Sequence, residues 1–267
     1  MPSVFDTRPP KFSEQEAEDI VFSNFGFRSK VIELYSDRDQ NFLVQINSSP
    51  KFILKISNPL EQKTVLAMQT AVVKYIIDRE MGIKVPEQVG SIGKVVKGTS
   101  SYFIRLLKYL EGQFLKDRKI KINDYQNIGQ FLGTLSNALL DFEHPGAVRK
   151  FEWDVRSSHL IKERLRFLKS DEERDIVNYF LDQFNSTIVP SLDKMRLAVI
   201  HNDGNDHNIL VDDNGLTKAI IDFGDMVYTF QALEPAVCMA YSALGKDNPL
   251  PIMSNILKGY HTFFPLN

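Results

Sequence analysis

Short apolar runs at strand spacing dominate the first third of the chain. Residues 31–35 (VIELY), 42–46 (FLVQI) and 52–56 (FILKI) are rich in β-branched and aromatic side chains, and the polar stretches SDRDQN and NSSPK separate them. This spacing predicts an antiparallel meander. Ahead of it, Ser13 and Glu16 form a capping box before a short helix carrying Ala17, Ile20 and Val21. After it the period changes. Val65, Met68, Val72, Tyr75 and Ile76 fall on one face of a helix predicted over 61–81. Runs around VGSI, KVVK and YFIRLL read as strands that complete a small sheet.

From Asn123 onward the pattern is mostly helical. Asn123 and Gln126 read as a second capping box. Ile128, Phe131, Leu132, Leu135, Ala138, Leu139 and Phe142 then keep a helical period. Residues 159–169 and 172–188 read as two more helices, and helices resume near 231–244. One β-rich island interrupts them. LAVI at 197–200 is a short apolar run. ILVD at 209–212 and KAIID at 218–222 flank Asp213-Asn214-Gly215, a hairpin-turn signal. The segment EGQFLKD at 111–117 is read as a junction. The expected architecture is α+β with two lobes: residues 1–110 forming a small antiparallel-sheet lobe and 111–267 a mainly helical one, with a cleft between them.

Composition narrows the function classes. Of 267 residues, 43% are apolar and 25% charged, with a formal net charge of −2, so no bulk basic field points to nucleic acid or to a membrane surface. The single cysteine, Cys238, excludes an internal disulfide framework and a cysteine-rich zinc site. The opening MPSVFDTRPPK has no apolar core of signal-peptide type. A cytoplasmic protein is expected.

The candidate chemistry lies in HNDGNDHNIL…IIDFGD at 201–225. A hairpin brings its outer ends together, so Asn208 and Asp222 are expected side by side. Asp203, on the preceding loop, can face the same point. Phosphoryl transfer needs such a set: a carboxylate for the acceptor hydroxyl proton, and hard oxygen ligands holding magnesium against phosphates. It also needs a cation from the other lobe. Lys55, inside FILKI, is the candidate. His201 and His207 read as structural and solvent-exposed, respectively. GSIGK at 90–94 lacks the spacing of a phosphate-binding P-loop.

These residues carry a resemblance. Lys55 on the third strand, His201-Asn202-Asp203 with Asn208, and Ile221-Asp222-Phe223 match in order and spacing the aminoglycoside phosphotransferase/choline kinase-like superfamily, which has a protein-kinase-like fold. NDHNIL, IDFGDMVY, DQNF at 39–42, RLLKYLEG at 105–112 and Trp153-Asp154 resemble its hydroxylysine kinase branch, as well as the kinase-like domain of class III aminotransferase fusion proteins. The resemblance implies Asp203 as catalytic base, Asn208 and Asp222 as magnesium ligands, and Lys55 on the phosphates of ATP or GTP. It places the backbone of Leu107 to Tyr109 at the nucleotide base, and Asp39, Gln40 and Asn41 in a phosphate-covering turn that lacks the usual glycines. Asp206, Asp225, Glu234 and Trp153 are implied to line the acceptor pocket, an acidic setting suited to a small cationic hydroxyl compound. Hydroxylysine or an amino alcohol is favoured; homoserine, choline-like amines and aminoglycosides are alternatives.

Two departures stand out. The glycine of the family's H-G-D is Asn202 here. The helix glutamate that pairs with the lysine aligns with Ala67, with Glu61 nearly two turns earlier. That loss, together with an ending at GYHTFFPLN where relatives continue, keeps open a catalytically weak binding or regulatory domain of a larger protein. A metallohydrolase using His201, Asp203, Asp206 and His207 is a third reading. It is disfavoured because only five histidines exist.

Overall fold

The computed structural model describes Val4 and residues 7–266. The opening stretch read above for signal character therefore lies partly outside the described residues. The first capping box is present: Ser13 and Glu16 cap α1 (Glu14–Phe25) reciprocally, and Gly26 ends it in a left-handed turn. The meander follows as β1 (Lys30–Leu34), β2 (Gln40–Ile46) and β3 (Ser49–Ile56). Asn47 and Ser48, both at positive φ, make the tight β2–β3 turn. Helix α2 (Lys63–Asp78) leads into β4 (Gln88–Lys97) and β5 (Ser100–Lys108), closing a five-stranded antiparallel sheet of order β1-β2-β3-β5-β4. A bulge between Val89 and Gly93 makes the two expected short strands one bent strand.

The chain then crosses to the second lobe. β6 (Gln113–Phe114) pairs with β8 (Ile209–Val211), which pairs in turn with β9 (Thr217–Ile220). β7 (Leu197–Ile200) pairs with β10 (Val227–Phe230). The helices are α3 (Tyr125–Ala138), α4 (His159–Arg164), α5 (Asp171–Gln183), α6 (Leu233–Ala243) and α7 (Leu250–Phe263). The second capping box is absent. A 3₁₀ turn over Ile122–Asp124 takes its place, and α3 begins at Tyr125 with no side-chain cap. A box the sequence reading passed over, Ser170 with Glu173, caps α5. Residues 165–167 leave the α-helical path that was expected over 159–169 and form a 3₁₀ turn.

Two apolar clusters organise the molecule. One packs α1 on the five-stranded sheet through Phe12, Val21, Phe42, Leu54, Ile104 and Leu106. The other gathers α3, α6, α7 and the small strands, and it also takes Val65, Met68, Val72 and Ile76 of α2. So α2, although it sits between strands of the first lobe in sequence, buries its apolar face in the second core. It spans the lobes and sets one wall of the cleft. No helix among the described residues is long and apolar enough to cross a membrane.

Candidate active site

The β7–β8 loop is built by its own side chains. Asn202 takes a left-handed backbone, φ 66°, which asparagine accepts better than most residues, so the position of the family glycine is filled without breaking the turn. His201 is fully buried. Its Nδ1 accepts from the Asp203 backbone N–H at 3.3 Å, so Nε2 carries the proton and donates to the Ile221 carbonyl at 3.0 Å. Burial pushes its pKa down to about 4, leaving it neutral. With both ring nitrogens engaged in its own loop, His201 is a brace between the two halves of the site. His207 Nδ1 turns to Asp206 at 3.0 Å. Among the described residues no cluster of three or more His, Cys, Asp or Glu has metal-holding geometry, so the histidine-rich site of the metallohydrolase reading is not assembled.

Asp203 is clamped by two amides. Asn205 Nδ2 donates to Oδ1 at 2.6 Å, and Asn208 Nδ2 donates to Oδ2 at 2.7 Å. Burial, then the nearby carboxylates Asp225 and Asp222, push its pKa up to about 7 against those two bonds. The hairpin does bring its ends together: the Ile221 N–H donates to the Asn208 carbonyl at 2.9 Å. Asp222 then turns left-handed, φ 60°, and meets Lys55 Nζ at 3.0 Å through Oδ1. Burial alone would raise the Asp222 pKa, but Lys55 and Arg38 outweigh it and hold the carboxyl far below the usual range. Asn208 Oδ1 and Asp222 Oδ2 have no hydrogen-bond partner among the described residues. They are hard oxygen donors at the two joined ends of one hairpin, and their chemistry fits a magnesium-like ion.

In the first lobe, Asn41, Lys55 and Arg105 stand opposite one another across β2, β3 and β5, so their side chains share the cleft face. Gln40 faces the other way. It is buried, and its amide is tied to the Phe12 backbone at 2.7 and 2.9 Å. It anchors the N-terminal segment and does not reach the phosphate turn, contrary to expectation. Leu107 lines a small cavity with Lys55, Gln69, Arg105, Asp222 and Phe223. The Lys108 and Tyr109 N–H groups donate to Glu87 and Lys51 at 2.8 and 2.9 Å, so they are already committed within the protein.

The expected helix glutamate is absent. α2 has no acidic residue before Asp78. Glu61 does not replace it: its carboxylate accepts from the Gln62 N–H at 2.9 Å. Neutral Gln69 lines the cavity beside Lys55, and the lysine pairs directly with Asp222.

The four acceptor-pocket candidates divide. Asp225 lies in the cleft, ion-paired with Arg38 of the β1–β2 turn. Asp206 is partly exposed beside His207. Trp153 is 64% exposed, and its carbonyl accepts from Asn202 Nδ2 at 3.4 Å. Glu234 is corrected. It is 0% exposed, so no acceptor reaches it in this conformation. Its Oε2 accepts from the His201 N–H at 2.7 Å, while Oε1 is buried without a hydrogen-bond partner among the described residues. It holds the loop from beneath. Burial pushes its pKa up to about 7. Glu234→Ala strands the His201 N–H and should lose roughly 1–3 kcal/mol of stability. Glu234→Gln keeps an acceptor there and should lose distinctly less. Equal urea midpoints for the two variants would rule this bracing role out. Sequence reasoning missed Arg38, Asn205, Arg105 and Arg149. Each sits in a polar stretch or strand whose only signal was charge or amide character.

A loop carrying Asp203 and Asn208, a turn carrying Asp222 and a strand lysine from the other lobe define a phosphotransferase of the two-lobed, protein-kinase-like class. Residues 30–264 match the family model described as "Phosphotransferase enzyme family", and the chain belongs to that family. It is a small-molecule kinase by that membership. The chain is 30% identical over 291 residues to hydroxylysine kinase of Mus musculus, covering 96% of this chain and 76% of that one. It is 27% identical over 276 residues to hydroxylysine kinase of Danio rerio, covering 97% and 78%. Among solved structures, a microcompartment-associated aminopropanol kinase superposes with TM-score 0.74 at 16% identity, covering 95% of this chain and 82% of that one. An amicoumacin kinase in complex with AMP-PNP, Ca2+ and Ami superposes with TM-score 0.71 at 15% identity, covering 96% and 79%. These structural likenesses bear on the fold.

Proposed function

We propose that this protein transfers the γ-phosphate of ATP or GTP, with Mg2+, to the hydroxyl of a small amine-bearing metabolite of the hydroxylysine or amino-alcohol type. One observation carries the reading: Asp203, raised to about 7, is locked beside Asn208, while Asp222 opposite is held ionised by Lys55. A carboxylate that binds a proton near neutrality suits a general base, and one that never protonates suits a metal ligand. Asp203 takes the acceptor's hydroxyl proton. Asn208 Oδ1 and Asp222 hold the metal, which supplies charge neutralisation at the phosphates when bound. Lys55 and Asn41 face the phosphates. The base meets the chain beside Leu107 and beyond Tyr109, because the Lys108 and Tyr109 N–H groups are committed. Asp225 and Asp206 give the acceptor side its negative charge, which suits an ammonium group, and the exposed Trp153 borders it. The similarity to hydroxylysine kinases supports this acceptor class.

The test is a phosphorylation assay with ATP and GTP against 5-hydroxylysine, aminopropanol, ethanolamine, homoserine, choline and an aminoglycoside. Turnover of hydroxylysine or an amino alcohol well above the others is expected; turnover of none, with no thermal stabilisation by either nucleotide and magnesium, would favour the non-catalytic reading instead. A pH profile checks the base. Asp203 acts only when deprotonated, so kcat/KM should fall as pH drops through its pKa, about 7 without metal and lower once a cation offsets the Asp222 charge. An acid limb that persists unchanged in the residual activity of Asp203→Asn would remove Asp203 from that role.

A further inference from the structure

The β1–β2 turn lies over the cleft without a glycine: Ser36, Asp37, Arg38 and Asp39 form it. Backbone N–H groups of a glycine-rich loop normally wrap phosphates because nothing but hydrogen projects from the chain. Here the turn is pinned instead. The Asn58 N–H donates to Asp39 Oδ1 at 2.9 Å, and Asn58 Nδ2 donates to the Arg38 carbonyl at 3.3 Å. A pinned turn without glycine cannot fold its backbone onto a phosphate, so a side chain must bring the positive charge.

Arg38 is placed to do this. Its guanidinium crosses from the first lobe to Asp225, 187 residues on. Nη2 lies 3.5 Å from the position a Cβ on Gly224 would take, in the loop that Asp222 begins. Lys55 reaches Asp222 at 3.0 Å, so two cations of the first lobe converge on this one loop. Below them Phe151 is a shared platform, with the Arg149 guanidinium 4.2 Å and the Arg38 guanidinium 6.0 Å from its ring centre. Arg149 holds the carbonyls of Gly224 and Met226 at 2.7 and 2.8 Å, which fixes the loop. Arg38 meets a carboxylate side chain through Nη2, and a guanidinium can pair equally with two oxygens of a phosphate, which carries more charge.

We infer that Arg38 contacts the transferred phosphoryl group, and that Asp225 is the carboxylate that holds it ready until nucleotide binds. The inference rests on the kinase reading above. Asp203, Asp222 and Asp225 are close enough to perturb one another, so a terminal phosphate held at this loop would come near the Arg38–Asp225 pair. Exchange of Asp225 for phosphate oxygens delivers positive charge where the transition state spreads its negative charge.

The measurement is binding of AMP-PNP and of ADP, and of the guanine pair, each with Mg2+, by calorimetry to the wild-type chain, Arg38→Gln and Arg38→Lys. A contact to the terminal phosphate shows in the triphosphate analogue alone. Arg38→Gln should bind AMP-PNP about tenfold or more weakly and ADP within about twofold, with Arg38→Lys between, and turnover of the best acceptor should fall about 100-fold or more. Equal weakening for both nucleotides, or none for either, overturns the inference, the first outcome marking Arg38 as a bridge between lobes only. Wild-type protein that binds neither nucleotide overturns the kinase reading, and this inference falls with it. Unchanged urea midpoints confirm that the variants are folded.

Discussion

Asp203→Asn is expected to lower turnover by about 10³-fold or more while leaving nucleotide binding within a few-fold of wild type. The size follows from the proposed role, since a positioned general base contributes roughly 10²–10⁴-fold, and an amide cannot take the proton at all. The separation of effects follows from the geometry. Asp203 meets two asparagine amides and, among the described residues, no cation, whereas the lysine contact belongs to Asp222. The substitution also has a local cost. An asparagine at 203 offers one oxygen to two amide donors, so Asn205 must turn its own oxygen inward. That releases the His207 N–H it now accepts at 2.8 Å, at about 1 kcal/mol. Steady-state kinetics with the best acceptor, beside thermal shifts with AMP-PNP and Mg2+, separate the two effects. Turnover within tenfold of wild type would end the assignment of Asp203 as base. Loss of nucleotide-induced stabilisation together with turnover would instead mean that Asp203 holds Asn208 in place for the metal, through the 2.7 Å amide bond.

Which of these groups could be read in the chain depended on how far apart they lie in it. Asn208 and Asp222 were legible because a turn as strong as Asp-Asn-Gly dictates a hairpin, and a hairpin dictates where its ends go. Lys55 was legible as a cation inside an apolar strand. Asp225 could be placed beside the motif, but its partner Arg38, 187 residues earlier, looked like any polar turn residue. Glu234 shows the opposite failure. Proximity to the motif suggested a pocket wall, yet helix α6 turns the carboxylate into the protein beneath the loop, where the His201 N–H needs an acceptor. The same physics explains the helices. A capping box was correct at Ser13, where the chain enters from an extended segment. It failed at Asn123, where a 3₁₀ turn already occupies the helix start. α2 kept its apolar stripe as expected, but a stripe does not say which of two cores it will join.

Gly129→Ala should be among the most damaging single-methyl changes in the protein. A Cβ at Gly129 would sit 1.9 Å from the Ile256 carbonyl oxygen, and one at Gly259 would sit 2.0 Å from that of Gln126. Helices α3 and α7 therefore meet backbone against backbone, glycine facing carbonyl on each side, and Gly133 continues the seam, where a Cβ would sit 2.8 Å from the Tyr260 carbonyl oxygen. The Tyr260 hydroxyl donates to Ser136 at 2.8 Å just beyond it, so the register cannot slide. In isolation alanine favours a helix over glycine by about 1 kcal/mol. Against this stands a clash with main chain, which no rotamer change relieves. The helices must separate, and every side chain packed along them loses contact, a cost of about 3 kcal/mol or more. The clash wins, and the melting temperature should fall by roughly 5–10 °C. Asn137→Ala, exposed on the same helix, makes the control: it gains helix propensity, meets nothing, and should be neutral or slightly stabilising. A Gly129→Ala protein melting with the control would show that α3 and α7 are further apart than this seam requires. Because α3 and α6 also share the core beneath the β7–β8 loop, prying α3 from α7 should loosen the support under Asp203, so turnover should fall at temperatures where the variant is still folded.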